Sequence, residues 1–257
     1  MELAAAYWPF VFGLMVTGVA SGIAAELLGI GGGAIIVPAL ATALSFMGYD
    51  ADVVQHVAVG TSLAIIIPTG FMSARAHYQR GALDMKVLRL WAPFIVVGTF
   101  IGGLMAGLYS GDVLRIVFAV MAFVIAANIV SGFQSRLMGH LHGSSATHRL
   151  SALVVGYISS LMGIGGGSLT VPTLAGFGAT MHAAVGTSAA VGVAIAVSGT
   201  LGFIISGWGE PGLPPLSIGY VNLVALLLVA VLAAVFAPLG AALAHRLDQK
   251  TLKYVFA

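Results

Sequence analysis

Gly29-Ile-Gly-Gly-Gly-Ala-Ile-Ile-Val-Pro-Ala-Leu40 returns later in the chain as Gly163-Ile-Gly-Gly-Gly-Ser-Leu-Thr-Val-Pro-Thr-Leu174. Two further segments repeat in the same order. His56-Val-Ala-Val-Gly-Thr-Ser62 returns as His182-Ala-Ala-Val-Gly-Thr-Ser188, and Val113-Leu-Arg-Ile-Val-Phe-Ala119 returns as Thr251-Leu-Lys-Tyr-Val-Phe-Ala257. The offsets, Gly29 to Gly163, His56 to His182 and Val113 to Thr251, differ only by loop length. Matches kept in order at nearly constant spacing mark an internal duplication. The chain divides into a first membrane repeat over 1–131, a linker over 132–149 and a second repeat over 150–257.

Composition fixes the solvent. Of 257 residues, 60% are hydrophobic and 7% are charged, against about 25% charged in an ordinary soluble domain. The mean hydropathy is +1.08. So few charges cannot cover a water-facing surface, so the chain is predicted to be an all-α integral membrane protein. Its long apolar runs do not alternate as barrel strands must. Cysteine is absent, which excludes disulfides, thiolate metal sites and cysteine nucleophiles. A net charge of +2 without a dense basic run argues against nucleic acid as a partner. The first residues, MELAAAYWPF, carry no basic stretch ahead of the apolar one, unlike a cleaved signal peptide.

Several apolar runs reach the roughly 20 residues that a helix needs to cross a ~30 Å core. Runs 34–47 and 168–177 do not, and each follows a glycine cluster, which suggests re-entrant halves of a broken helix. Arg75, Arg80, Lys86, Arg89, Arg136, Arg149, Arg246, Lys250 and Lys253 fall in three loops that the positive-inside tendency places in the cytoplasm. Each half then comprises a glycine-broken re-entrant hairpin followed by about three crossings. Three is odd, so the second half enters from the opposite face, giving two inverted-topology repeats as in many secondary transporters. A competing count lets residues 9–28 span fully. By the third repeated segment, the second half stops where its last helix should begin, so one further helix is expected after Ala257.

The candidate chemistry sits at the glycine breaks. Backbone left unpaired in lipid costs several kcal/mol per group, so a break is tolerated where protein buries it or water reaches it. Gly31, Gly32, Gly33 and Ala34, with Gly165, Gly166, Gly167 and Ser168, present free N–H groups and the positive ends of helix dipoles, which suit an anion. The competing account is close helix packing through small residues. Thr61, Ser62, Thr187 and Ser188 lie a turn and a half beyond His56 and His182. Their hydroxyls either donate to a bound oxyanion or bond back to their own helix carbonyls. His56 and His182 would cap access paths from opposite faces. Glu26 is the one carboxylate well inside an apolar run and could carry a coupling proton; its counterpart is Ser160. Arg75 either attracts anions at the cytoplasmic mouth or snorkels to the interface. Pro38 and Pro172 are hinges or plain kinks. His140, His142 and His148 fall in the linker and are read as solvated rather than metal-binding. No metal or cofactor is expected, and no P-loop or HExxH pattern occurs.

The twice-occurring Gly-x-Gly-Gly-Gly-x-x-x-Val-Pro-x-Leu, each copy followed by a Gly-Thr-Ser segment, resembles the TauE/SafE sulfite-exporter family of bacterial membrane proteins. The resemblance covers both halves. It implies export of sulfite or a related small sulfur-containing anion across the inner membrane, with the glycine turns at 31–33 and 165–167 at stake. From the residues alone the reading stops at an anion transporter with a midplane site. An uncoupled channel would use the same residues, and a membrane-embedded enzyme with Glu26 and His56 as an acid–base pair is the main alternative of another class. The expected partners are the anion and membrane lipid, with a homodimer left open.

Overall fold

The computed structural model describes residues 11–23, 32–131 and 144–244. Nine helices follow one another among them: α1 Val11–Ile23, α2 Gly33–Phe46, α3 Ala51–Gln79, α4 Met85–Ala106, α5 Gly111–Ser131, α6 Ser145–Met162, α7 Gly167–Gly176, α8 Met181–Ser206 and α9 Leu223–Ala244. The one sheet among the described residues pairs β1 Ser217–Ile218 with β2 Val221–Asn222 as an antiparallel hairpin. Four helices, α3, α4, α5 and α8, are long and apolar enough to cross a bilayer. Helices α2 and α7, of 14 and 10 residues, rise only about 21 and 15 Å at 1.5 Å per residue. Neither crosses ~30 Å of hydrocarbon alone.

The helix starts divide by chemistry. Asp50 caps α3 by accepting from Asp52 N, and Asp84 caps α4 by accepting from Lys86 N and Val87 N. Ser144, Thr180 and Asn222 do the same for α6, α8 and α9. Such caps satisfy the amides that a first helical turn leaves unpaired. Helices α2 and α7 instead start from Gly32 and Gly166 with no side-chain cap.

Glycine also sets how the halves mesh. In α4, a Cβ on Gly98 would collide with the Leu153 carbonyl of α6, and one on Gly102 with Ser160 Oγ. On the facing side, a Cβ on Gly156 of α6 would lie 2.6 Å from Ile95 O. Helix α4 of the first half therefore packs on α6 of the second. The reverse exchange also occurs: a Cβ on Gly18 of α1 would lie 2.7 Å from Leu232 Cβ, and one on Gly22 would lie 2.5 Å from Ala233 O of α9. Each half thus lends its helix to the other half's first helix. Backbones this close exclude larger side chains, and forcing one in costs roughly 1–3 kcal/mol.

At the centre, α3 and α8 run antiparallel. Gly60 faces Phe203, Leu63 faces Gly199 and Gly70 faces Val193, so position numbers fall on one helix as they rise on the other. Both are the Gly-Thr-Ser helices of the duplication. The core around them holds Ile36, Leu40, Leu63, Ile65, Trp91, Ile95 and Phe203, all essentially buried. The outside is apolar too: α5 exposes Ile116, Val120, Phe123 and Val124. An apolar rim of that extent belongs against lipid rather than water.

His148 does not lie in a solvated linker. Helix α6 starts at Ser145 and carries His148 in its first turn, where its Nδ1 accepts from the buried indole N–H of Trp91 at 3.0 Å and its ring stacks on Phe177 at 3.8 Å. His140 and His142 lie outside the described residues.

Candidate functional site

The glycine turns of the two halves meet. Gly32 has φ 71°, the left-handed region, which costs an L-residue about 1–2 kcal/mol and glycine little. That turn delivers Gly33 against the other half, where an added Cβ would lie 2.5 Å from Gly163 O and 2.9 Å from Ile164 Cα. Gly163, itself at φ 67°, ends α6, and its own Cβ would press on Val37 and on the backbone of Val59. Ser62 Oγ donates to the same Gly163 carbonyl at 2.8 Å. So α2, α3 and the end of α6 converge on one backbone oxygen. In the second turn, Gly165 and Gly166 are buried, and a Cβ on Gly166 would touch Ser188 O and the Gly192 backbone of α8. Its αR backbone, with φ −56°, requires no glycine for conformation, only for this contact.

The four hydroxyls divide differently from either expectation. Thr61 Oγ1 accepts from Asn222 N, and Thr187 Oγ1 accepts from Asp84 N, each at 2.9 Å. Asp84 and Asn222 are the caps of α4 and α9, so one bond is made twice, once per half. Ser62 bonds across the halves, and only Ser188 bonds back to its own helix, donating to Val185 O at 2.8 Å. All four are buried. Ser159 Oγ and Thr170 Oγ1, beside the second glycine turn in sequence, are buried without a hydrogen-bond partner. Periodicity gives no signal for either.

The two histidines part company. His56 is 3% exposed. Its Nδ1 lies against Asp52 O, its Nε2 lies 2.8 Å from Ala106 O, and its ring stacks on Tyr220 at 4.7 Å. His182 is exposed and lines a cavity of about 430 Å³ with His77 and Arg80, next to one of about 580 Å³ that includes Asp84 and Lys86. Arg80 and Lys86 have no ion-pair partner among the described residues. This basic mouth opens at the α3–α4 turn and the start of α8.

The remaining candidates scatter. Ala34 and Pro38 line a cavity of about 820 Å³ between α1 and α2. Its two threonines, Thr17 and Thr42, donate to Gly13 O and Pro38 O of their own helices, which leaves that cavity poorly equipped for an anion. Ser168 opens α7 and is buried, Pro172 lies inside α7, and Arg75 is exposed on α3. Ser160, the counterpart of Glu26, donates to Tyr157 O and is pressed against Gly102, so a longer side chain has no room there. Glu26 and Gly31 lie outside the described residues.

Sequence reasoning passed over Tyr220, Asn222 and Asp84. An Asp or Asn just ahead of an apolar helix is a capping signal, but their bonds to Thr187 and Thr61 span 103 and 161 residues, which no local pattern reveals.

Comparison with known proteins agrees with this architecture. The chain matches the family described as sulfite exporter TauE/SafE over residues 14–257. It is 33% identical over 248 residues to a probable membrane transporter protein of Haemophilus influenzae, covering 96% of this chain and 94% of that one. The probable membrane transporter protein YunE of Bacillus subtilis is 29% identical over 76% of this chain and 78% of its own length. A probable membrane transporter protein of Methanocaldococcus jannaschii is 24% identical over 95% and 90%. No solved structure matches the chain. A multi-pass membrane protein with duplicated glycine turns and this full-length similarity is a transporter rather than an enzyme, and the chain belongs to the TauE/SafE sulfite exporter family.

Proposed function

We propose that the chain exports sulfite, or a small sulfur-containing anion like it, along a path between two inverted repeats. The meeting of the glycine turns carries this reading: Gly33 and Ser62 of the first half close on Gly163 of the second. The antiparallel packing of α3 on α8 supports the inversion, because equivalent helices of inverted repeats point opposite ways. The uncapped starts of α2 and α7 leave amide donors at the join, and Ser168, Ser159 and Thr170 add buried hydroxyls. Amide and hydroxyl donors hold a small oxyanion without a formal countercharge. In this reading the short helices α2 and α7 are re-entrant, and His182, Arg80 and Arg75 gather the anion at the cytoplasmic mouth. Thr61 and Thr187 brace the path by holding the first turns of α9 and α4 rather than by touching the anion.

Flux of labelled sulfite from proteoliposomes tests this, with sulfate and taurine as competitors and with or without a pH gradient. Saturable flux that follows the gradient establishes a coupled exporter and directs attention to Glu26. Saturable flux indifferent to the gradient makes the path a facilitated one. Gly33→Val, which drives side-chain carbon into the Gly163 carbonyl, is expected to abolish saturable flux. Wild-type rates in a monodisperse Gly33→Val protein would remove the join from the path.

A further inference from the structure

We infer that the hairpin between α8 and α9 is a gate on one side of the path, with Tyr220 as the residue that seals it over His56, while the equivalent mouth at His182 stands open. The observations are geometric. Residues 80–84 link α3 to α4, whereas residues 207–222 link the equivalent α8 to α9. The extra length forms the hairpin, and its inner residue, Tyr220, is 4% exposed. The Tyr220 ring lies on His56 at 4.7 Å and edge-on to Phe203 at 6.3 Å. Its N–H donates to Phe203 O at 3.2 Å, and its carbonyl would be 2.6 Å from a Cβ on Gly60. A Cβ on Gly207 would also meet the ring at 2.6 Å. Two helices, α3 and α8, thus enclose Tyr220 with imidazole, aromatic and glycine surface.

The hairpin is also braced from both ends. Asn222 uses its backbone N–H and both polar atoms of its side chain: its N–H donates to Thr61, its Nδ2 to Pro215 O and Ser217 Oγ, and its Oδ1 accepts from Ala225 N. Leu216, a non-glycine residue at φ 59°, holds the turn in a conformation costing about 1–2 kcal/mol, and its carbonyl accepts from Leu223 N. At the equivalent place in the second half, the short link leaves His182 beside open cavities. A path alternately exposed to two sides needs a closure on each. Here one closure is a built element and the other is the absence of one, so the molecule is caught open toward His182 alone.

The inference rests on the two-half path of the proposed function, and the chain's lack of cysteine allows a test that does not depend on flux. Single-cysteine variants His56→Cys and His182→Cys are treated in detergent, where both faces are reachable, with a charged methanethiosulfonate reagent. His182→Cys is expected to label quickly and His56→Cys slowly. Adding Tyr220→Ala should speed labelling at His56→Cys by about tenfold or more, on the scale of a lost local seal, and leave His182→Cys unchanged. Thr61→Cys, under the same hairpin, serves as a second probe should His56→Cys not fold. Equal labelling at the two positions with Tyr220 in place overturns the gate, as does protection that survives Tyr220→Ala. Labelling as expected in a protein that carries no sulfite keeps the seal and overturns the transport reading instead.

Discussion

His56 and His182 open the same seven-residue motif, yet one is sealed in protein and the other lines an open basic mouth. The difference does not come from the motif. Thr61 and Thr187, five residues on, make the same bond, each to the residue capping a helix of the opposite half, α9 for Thr61 and α4 for Thr187. What differs is the link that follows each Gly-Thr-Ser helix: a tight turn over His182 and a hairpin with an inward tyrosine over His56. The threonine bonds of the two Gly-Thr-Ser helices are symmetric, while the connecting loops set the two ends apart.

Substitutions at the two ends should break that symmetry most visibly. Tyr220→Ala removes an aromatic packed among His56, Phe203 and Gly207, and losses of this kind run about 3–5 kcal/mol. Thermal melts in detergent are expected to show a large fall in Tm. His56→Ala strips the Asp52 and Ala106 carbonyls of a ring partner and should cost about 1–3 kcal/mol. His182→Ala, at an exposed position, should stay within about 0.5 kcal/mol. Equal losses at the two histidines would mean that the sealed end contributes no more to stability than the open one.

The symmetric interior gives the opposite expectation. Thr61→Val leaves Asn222 N without its acceptor, and Thr187→Val leaves Asp84 N without one. Each should cost about 1–3 kcal/mol, and the two should agree, because the bond is the same. Thr→Ser at either site should restore most of the loss. A large effect in one half only would show that the repeated bond is a coincidence of geometry.

The sealed end also carries a pH signature. Burial, with Glu210 and Asp52 adding negative charge nearby, pushes the Tyr220 phenol up to about 12 from its ordinary value of 10.0. The unfolded chain therefore gives up this proton first as pH rises. Tyr220's contribution to stability is intact below pH 10 and is lost between pH 10 and 12. Tyr220→Phe should remove that part of the alkaline decline, as read by melts across the same range. An unchanged decline would place the titration elsewhere.

Much of the interior was legible. Repeated glycines and apolar length marked the short helices α2 and α7, and the offsets paired α3 with α8 before any geometry was known. Those signals are local, set by chain conformation and by the solvent each residue meets. The ends were not legible, because the stack of Tyr220 on His56 and the bond from Trp91 to His148 join residues far apart in sequence. His148 shows the limit: beside a polar linker it looks solvated, but α6 begins five residues earlier than the apolar run and turns it onto a buried indole.

The smallest expected effect sharpens the comparison furthest, because it separates two serines that the sequence makes equivalent. Ser62 Oγ supplies the Gly163 carbonyl with a donor from another element, at the end of α6 where the helix ladder runs out. Ser188 Oγ donates to Val185 O, three residues back in its own helix. That carbonyl belongs to the interior of α8 and has a backbone donor from the helix ladder itself, so the hydroxyl adds little. Ser62→Ala should therefore cost about 1–2 kcal/mol, and Ser188→Ala about 0.5 kcal/mol or less. The order matters more than the values. If Ser188→Ala proved the costlier change, the join between the halves would not depend on the Gly163 carbonyl, and Gly33→Val would lose its reason to stop flux.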